Sequence, residues 1–465
     1  MDKFILFGAG KNIRNYIYMI RSMGDCVSLI LDSSKEKQCT KIDGICIQSP
    51  FDFIYNNEKI IITCLAFDEV RGILSRLGLR HKEVQISDYI RNKIDIKGHA
   101  NVSLDDAACS PCIIFDLCSY AKWGGAEKWN YTVASYLTTA FNSEDICLLK
   151  NDIVQYEHKN KMIKVISADN GVSSIIERIK TKEQIVFFNS FYSDAFFALL
   201  MLKKNKGENV KIITVVHNDY VDLYKQCLMF DMFVDSYLCV SKMIADSLIN
   251  TYGIDAKKVK RIAQPIEINT FSLEEKKMET RIRIGMASRL TSAQKRCELI
   301  PKLIDLLEKK QLCYRMEIAG DGELFDYIKG YVDAKLLGDK IKLRGKLSDM
   351  EMQFFWKNSD IYVNLSDFEG TSLAMLEAMS YMCVPVLTRV SGVDDYIEDG
   401  KSGLIYERGD LEGICDGIGY LSQNREILQK MGIAAQKSVI EKCDKKKICE
   451  TIFAIMNLKM NETLK

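Results

Sequence analysis

Short apolar runs alternate with amphipathic helical stretches along almost the whole chain, and this alternation restricts the fold more than any other feature. A chain that places a helix between successive strands builds βαβ units, and stacked βαβ units give parallel sheets of the α/β class. At 465 residues the chain exceeds one ordinary domain. Three blocks can be separated. The first covers residues 1–97 and opens with Phe4-Ile5-Leu6-Phe7, then Gly8-Ala9-Gly10, a helical stretch through about Ser22, and the strand 27–31 ending at Asp32. A strand 60–64 follows. Strand, glycine turn, helix and a strand with a terminal acid is how a dinucleotide-binding fold begins. The third fingerprint position is Ile13 in place of a small residue. Two readings stay open: a module that binds a nucleotide, and a Rossmann-like module with a structural or partner-docking role.

Residues 98–110 are small and polar without a period, a candidate linker. The second block, 111–275, has expected strands at 113–115, 185–188, 212–216 and 236–240. The third, 280–440, has them at 282–287, 316–319, 361–365 and 384–387. Five prolines and no long Pro- or Ser-rich segment imply blocks packed against each other.

Composition excludes several functions. A formal net charge of +1 argues against nucleic-acid binding. Basic clusters at Lys203-Lys204-Asn205-Lys206 and 257–261 read as solvated surface, with anionic lipid head groups as the alternative. Sixteen cysteines lack the spacing of a disulfide framework. The single C-x-x-C, Cys109 to Cys112, has no second pair, so no metal site is expected. The N-terminus is unlike a signal peptide, and no apolar run reaches the ~18–20 residues that span a bilayer. A soluble, cytoplasmic or at most peripheral protein is expected.

The most informative segment runs from Asp367-Phe368-Glu369-Gly370-Thr371-Ser372-Leu373 to Glu377-Ala378-Met379-Ser380. The preceding strand delivers Glu369 and Gly370 to its carboxyl edge, where ligands bind in open α/β sheets. Gly370 allows close backbone approach. Thr371 and Ser372 can cap the following helix, whose free N–H groups attract phosphate. Glu369 in the loop and Glu377 on the helix can bracket one long ligand. A bland alternative makes them helix-start acids favoured by the macrodipole.

Two glutamates with seven residues between them, the first followed by Gly and the second by Ala-Met, resemble the donor-site signature of family 4 of the GT-B glycosyltransferases, the glycosyl transferases group 1. The resemblance covers roughly residues 112–440 and leaves out the first block. It implies two Rossmann-like domains facing a cleft, preceded here by the small N-terminal Rossmann-like module. Residues 111–275 then form the acceptor side, 280–440 the donor side, and 441–465 a helix crossing back to the acceptor domain. Glu369 contacts the donor sugar and Glu377 the ribose hydroxyls. Arg289 and Lys295, after strand 282–287, clamp the diphosphate, and the absence of an Asp-x-Asp pair agrees with that role. Gly370, Thr371, Ser372 and Leu373 complete the donor loop, with Gly320 and Gly322 of a Gly-Asp-Gly turn near the nucleotide. Trp123-Gly124-Gly125-Ala126-Glu127-Lys128 resembles the family's Gly-Gly-x-Glu segment and sets Gly124 and Gly125 over the diphosphate from across the cleft. His217, ending strand 212–216, lies close to the reacting sugar.

The activity implied is retaining, metal-independent transfer from a nucleotide-sugar such as a UDP- or GDP-sugar. No cofactor is implied. The acceptor is a glycan or lipid-linked acceptor in cell-surface polysaccharide synthesis, with peripheral contact at the inner face of the membrane and no nucleic acid. The competing readings are a GT-B epimerase or phosphorylase, a catalytically idle sugar-nucleotide-binding or scaffold subunit, and an active nucleotide-dependent enzyme in the first block.

Overall fold

The computed structural model describes the chain except residues 11–12, 65, 94–110, 118–123, 142–144, 151–159, 168–178, 180–181, 183, 190–194, 269–270, 273–275, 277–278 and 457–465. The candidate linker, Cys109 and Trp123 lie outside the described residues. Three sheets follow one another along the chain. The first has five strands in the order Lys41–Ile42, Ile45–Gln48, Cys26–Leu31, Lys3–Phe7, Lys59–Ile62. Only its two-residue edge strand runs antiparallel. The second has seven parallel strands in the order Val259–Arg261, Ser236–Cys239, Val210–Val216, Ile185–Asn189, Cys112–Asp116, Ile146–Lys150, Lys164–Ser167. The third has six parallel strands: Ile341–Gly345, Tyr314–Ala319, Ile282–Ala287, Ile361–Asn364, Val384–Thr388, Leu404–Tyr406.

Central strands are buried on both faces, as in Cys112–Asp116, Ile185–Asn189 and Val384–Thr388. This is how parallel sheets covered by helices on both sides read. Most of the unforeseen strands are short or sit at sheet edges, whereas Ile146–Lys150 is a buried inner strand. Ile341–Gly345 alternates apolar and exposed polar residues, and Val259–Arg261 buries only its first side chain. Around the third sheet, helix Ile300–Lys309 places Pro301 in its first turn and buries Leu303, Ile304 and Leu307. Helix Asp349–Lys357 begins with a capping box between Ser348 and Glu351.

The first sheet's module does not stand apart. Its helices Ile13–Ser22 and Ile86–Lys93 pack on helices Ala195–Lys206 and Val221–Phe230 of the second unit. One continuous apolar core runs from Phe4, Ile17 and Ile90 to Phe196, Phe230 and Leu238. The apolar face is thus covered by this chain itself. Within the module, Asp32 is buried and its carboxylate accepts from Ala9 N at 2.7 Å and Ser34 N at 2.8 Å, with Lys37 at 3.3 Å. The acid that would hold a ribose is spent on its own glycine turn. Gly8, at φ +112°, lies against Cys64, where a Cβ would come within 2.7 Å.

The C-terminal helix Lys445–Met456 returns to the second unit. Ile448, Cys449, Ile452 and Met456 join its core, and Lys211 Nζ donates to Met456 O at 2.9 Å.

The third sheet carries a buried ion pair. Arg283 Nη2 meets Asp360 Oδ1 at 2.6 Å and Nε meets Oδ2 at 3.1 Å, while Arg283 N donates to Oδ2 at 3.0 Å. The Asp360 side chain is fully covered. Asp360→Ala is expected to lower stability by about 3–5 kcal/mol, because the buried guanidinium loses its close partner and keeps Glu279 only at 3.7 Å. Urea unfolding followed by circular dichroism checks this; a loss below about 1 kcal/mol contradicts it.

Candidate active site

Strand Ile361–Asn364 ends in a loop whose polar groups are tied down one by one. Asn364 Oδ1 accepts from Ser366 N at 2.9 Å, and Thr388 Oγ1 donates to Ser366 O at 2.7 Å. The Ser366 hydroxyl lies 2.6 Å from Asn364 Oδ1 and 2.8 Å from Glu369 Oε1, with one proton to give to either. Glu369 is buried, and the Lys295 ammonium donates to its Oε1. Burying a carboxylate is costly unless it is paired and hydrogen-bonded, and Lys295 and Ser366 supply both conditions.

The next residue is where the second and third units meet. Gly370 forms an antiparallel bridge with Asn218, and Asp219 N donates to Glu369 O at 3.3 Å. A Cβ at Gly370 would lie 2.0 Å from His217 O and 2.7 Å from Val240 Cγ2, so no side chain fits. The Thr371 hydroxyl donates to Val240 O at 2.7 Å. Ser241 and Ser391 hydroxyls meet at 2.6 Å, and Lys242 N donates to Asp395 Oδ2 at 2.8 Å. Thr371 therefore ties the units together instead of capping the helix. Ser372 is the N-cap of helix Leu373–Ser380, accepting from Met375 N at 3.3 Å. Leu373 lies against Gly125 of the opposite unit, 3.7 Å from the position a Cβ would take.

The cations come from the loop after strand Ile282–Ala287. Arg289 is exposed, and its side chain forms no ion pair among the described residues. Its loop is pressed onto the Gly-Asp-Gly turn. A Cβ at Gly320 would be 1.8 Å from Ser288 O and one at Gly322 2.6 Å from Leu290 O, both at positive φ. Leu290 N donates to Asp321 O at 2.9 Å. Gly320 and Gly322 thus support the loop that presents Arg289. Arg296 is a residue that sequence reasoning passed over. It pairs with Asp367 at 2.6 Å and Glu298 at 2.5 Å, and Gln294 Nε2 donates to Phe368 O at 3.1 Å. These contacts fasten the Lys295 loop to the Glu369 loop.

From the second unit, Gly124 precedes helix Gly125–Phe141, whose first turn carries Lys128. Lys128 Nζ reaches Glu377 Oε1 at 2.5 Å. Burial alone lowers the Lys128 pKa, but the neighbouring Glu377 carboxylate more than offsets it, and the net shift is upward. No sequence motif joins two residues so far apart. His217 packs edge-on against Trp129, ring centroids 5.5 Å apart. Its Nε2 has no accessible surface and no hydrogen-bond partner among the described residues, and the same holds for Trp129 Nε1. Burial pushes the His217 pKa down to about 3, so the ring is neutral at physiological pH and suited to hydrogen bonding, not proton donation. The structure brings Glu369, Lys295, Gly370, Thr371, Leu373, Gly125, Glu377 and His217 to one junction, with Arg289 at its edge.

The unfolded chain takes up the His217 proton first as pH falls, so this contribution to stability is complete above about 6.5 and is lost toward about 3. Between pH 7 and 5 the wild type should lose about 2 kcal/mol more than His217→Gln, at 1.4 kcal/mol per unit below 6.5. Urea unfolding at the two pH values measures this; equal losses contradict it.

With the geometry in place, comparison with known proteins is informative. The family "Glycosyl transferases group 1" matches residues 268–438. Poly(ribitol-phosphate) alpha-N-acetylglucosaminyltransferase of Staphylococcus aureus is 28% identical over 183 residues, 39% of this chain and 36% of that protein. N-acetyl-alpha-D-glucosaminyl L-malate synthase of Bacillus anthracis is 31% identical over 142 residues, 30% of this chain and 37% of that protein. These alignments span little more than a third of each relative's length. Among solved structures, Staphylococcus aureus TarM superposes with a TM-score of 0.54 at 15% identity, covering 98% of this chain and 100% of that one. Anabaena HepE superposes at 0.61 and 16%, covering 75% and 100%. At such identities the likeness shows the fold, which is GT-B. Residues 268–438 thus match the glycosyl transferases group 1, in a chain built on two Rossmann-like domains that face a cleft and preceded by a small Rossmann-like module.

Proposed function

We propose that the chain is a retaining, metal-independent glycosyltransferase that moves a sugar from a nucleotide-sugar to a glycan or lipid-linked acceptor in cell-surface polysaccharide synthesis. The observation that carries this reading is the buried Glu369 carboxylate, held by Lys295 and Ser366 where the two domains touch. A carboxylate fixed beside a cation, with exposed Arg289 on the same loop as Lys295 and without an ion pair among the described residues, suits a reaction that separates charge between sugar and diphosphate.

The bond that breaks joins the sugar's anomeric carbon to the terminal phosphate oxygen of the donor. The new bond joins that carbon to an acceptor hydroxyl on the same face. The hydroxyl proton passes to the departing phosphate, and the electron pair of the broken bond leaves with the nucleoside diphosphate. Arg289 and Lys295 meet the growing phosphate charge, and Lys295 then leaves Glu369 free to face the positive charge on the sugar. Glu377 accepts from the ribose hydroxyls. Neutral His217 hydrogen-bonds the sugar without taking its proton. The uridine nucleotides are the first donors to try, because HepE was solved with UDP and glucose and with UDP-glucose, and TarM with UDP. No helix among the described residues is long and apolar enough to cross a membrane. A lipid-linked acceptor would then be met at the membrane surface, on the cytoplasmic side.

Purified protein incubated in EDTA with a panel of UDP-, GDP- and ADP-sugars should release nucleoside diphosphate slowly from one of them. Glu369→Gln, Lys295→Ala and Arg289→Ala should each lower that release by about 10²–10³-fold. Release that needs a divalent metal, or that survives Glu369→Gln, contradicts the reading. Failure to bind any nucleoside diphosphate would leave a scaffold role instead.

A further inference from the structure

Lys128 reaches the donor-side domain from the opposite one, and no family motif quoted above gives it a role. It sits in the first turn of helix Gly125–Phe141, its N–H donating to Gly124 O at 3.0 Å. Its ammonium is therefore rooted within one turn of the two glycines, at a helix N-terminus whose partial charge is positive. It holds Glu377 at 2.5 Å. Asp349, at the start of helix Asp349–Lys357, and Glu267 act on the same ammonium from further away. The Lys128 side chain is 41% exposed, against 15% for Lys295, so it has room to move.

This geometry sets up a competition. On the reading above, Glu377 accepts hydrogen bonds from the donor ribose, yet the Lys128 ammonium already takes one of its oxygens. Ribose hydroxyls are neutral and cannot replace the counter-charge that Lys128 has on Glu377. A half-covered ammonium left without a partner is costly. The diphosphate that enters with the ribose brings the missing negative charge, adjacent to Gly124 and Gly125.

We propose that Lys128 is a positioning residue for the donor diphosphate: its ammonium orients Glu377 across the cleft and passes to the diphosphate when the ribose takes the carboxylate. The inference rests on the nucleotide-sugar reading. It also makes closure of the two domains depend on the donor's charge, because the residue that senses the diphosphate belongs to the acceptor-side domain.

The test is calorimetric titration of UDP and of uridine into the full chain and its Lys128→Met and Lys128→Arg variants, with GDP and guanosine, and ADP and adenosine, in parallel. Lys128→Met should weaken the diphosphate by about tenfold. It should leave the nucleoside unchanged or tighter, because Glu377 is freed from its competitor. Lys128→Arg should keep diphosphate affinity within about threefold of wild type. A purely structural role for the ion pair would lower nucleotide and nucleoside affinity by the same factor, and that result overturns the inference. Unchanged UDP and GDP binding in Lys128→Met overturns it too, while leaving the nucleotide-sugar reading intact. A wild type that binds none of UDP, GDP and ADP overturns both. Thermal melting of each variant identifies any that fails to fold, and the arginine variant then decides.

Discussion

The two large domains are joined at the cleft by a backbone contact that admits no side chain. Gly370 bridges Asn218, its carbonyl neighbour Glu369 O accepts from Asp219 N, and the Thr371 hydroxyl reaches Val240 O. Gly392, at φ +80°, packs onto the same spot, where a Cβ would lie 2.3 Å from both Gly370 O and Thr371 Oγ1. Three consecutive residues thus carry the buried Glu369 carboxylate, the interdomain bridge and the interdomain hydrogen bond. The position of Glu369 relative to His217 is set by this seam, and neither domain alone determines it.

Charge explains why the seam is arranged as it is. Glu369 is buried and Glu377 partly so, and each has a lysine, one from the donor-side loop and one from the opposite domain. Arg296 takes no part in that pairing; it holds Asp367 and so keeps the Lys295 loop against the Glu369 loop. Arg289 is left exposed on a loop made rigid by Gly320 and Gly322. The site therefore combines charges that are already neutralised with one that is not, a distribution suited to an anionic ligand.

Much of the architecture is legible in the sequence because parallel strands buried on both faces are continuous apolar runs. The strands 185–188, 212–216 and 282–287 are of this kind. Strands such as Ile341–Gly345, Lys164–Ser167 and Leu404–Tyr406 are not legible, because edge strands bury less and mix charged with apolar residues. The same contrast holds at the site. Glu369, Lys295 and His217 stand at the carboxyl ends of central strands, and topology alone brings such positions together. The Lys128–Glu377 pair joins residues 249 apart across a domain boundary, and no local pattern encodes it. Thr371 reads as a helix cap because it precedes a helix, but Ser372 fills that role and leaves Thr371 to the other domain. In the first module, Gly8, Gly10 and Asp32 match a nucleotide-binding turn, yet Asp32 is consumed by Ala9 N, Ser34 N and Lys37. A motif specifies residue types, whereas burial decides whether their polar atoms are left for a ligand.

If the Gly370 seam, and not the donor-side domain alone, positions Glu369, widening the seam must cost donor turnover. Steady-state donor turnover by Gly370→Ala tests it most directly, with circular dichroism as a check on folding. A methyl group 2.0 Å from His217 O must push the domains apart. A displacement on the order of 1 Å at the reacting carboxylate is expected to lower turnover about 100-fold in a protein that remains folded. Turnover within about threefold of wild type would show that the bridge is incidental to placing Glu369 and would contradict the account.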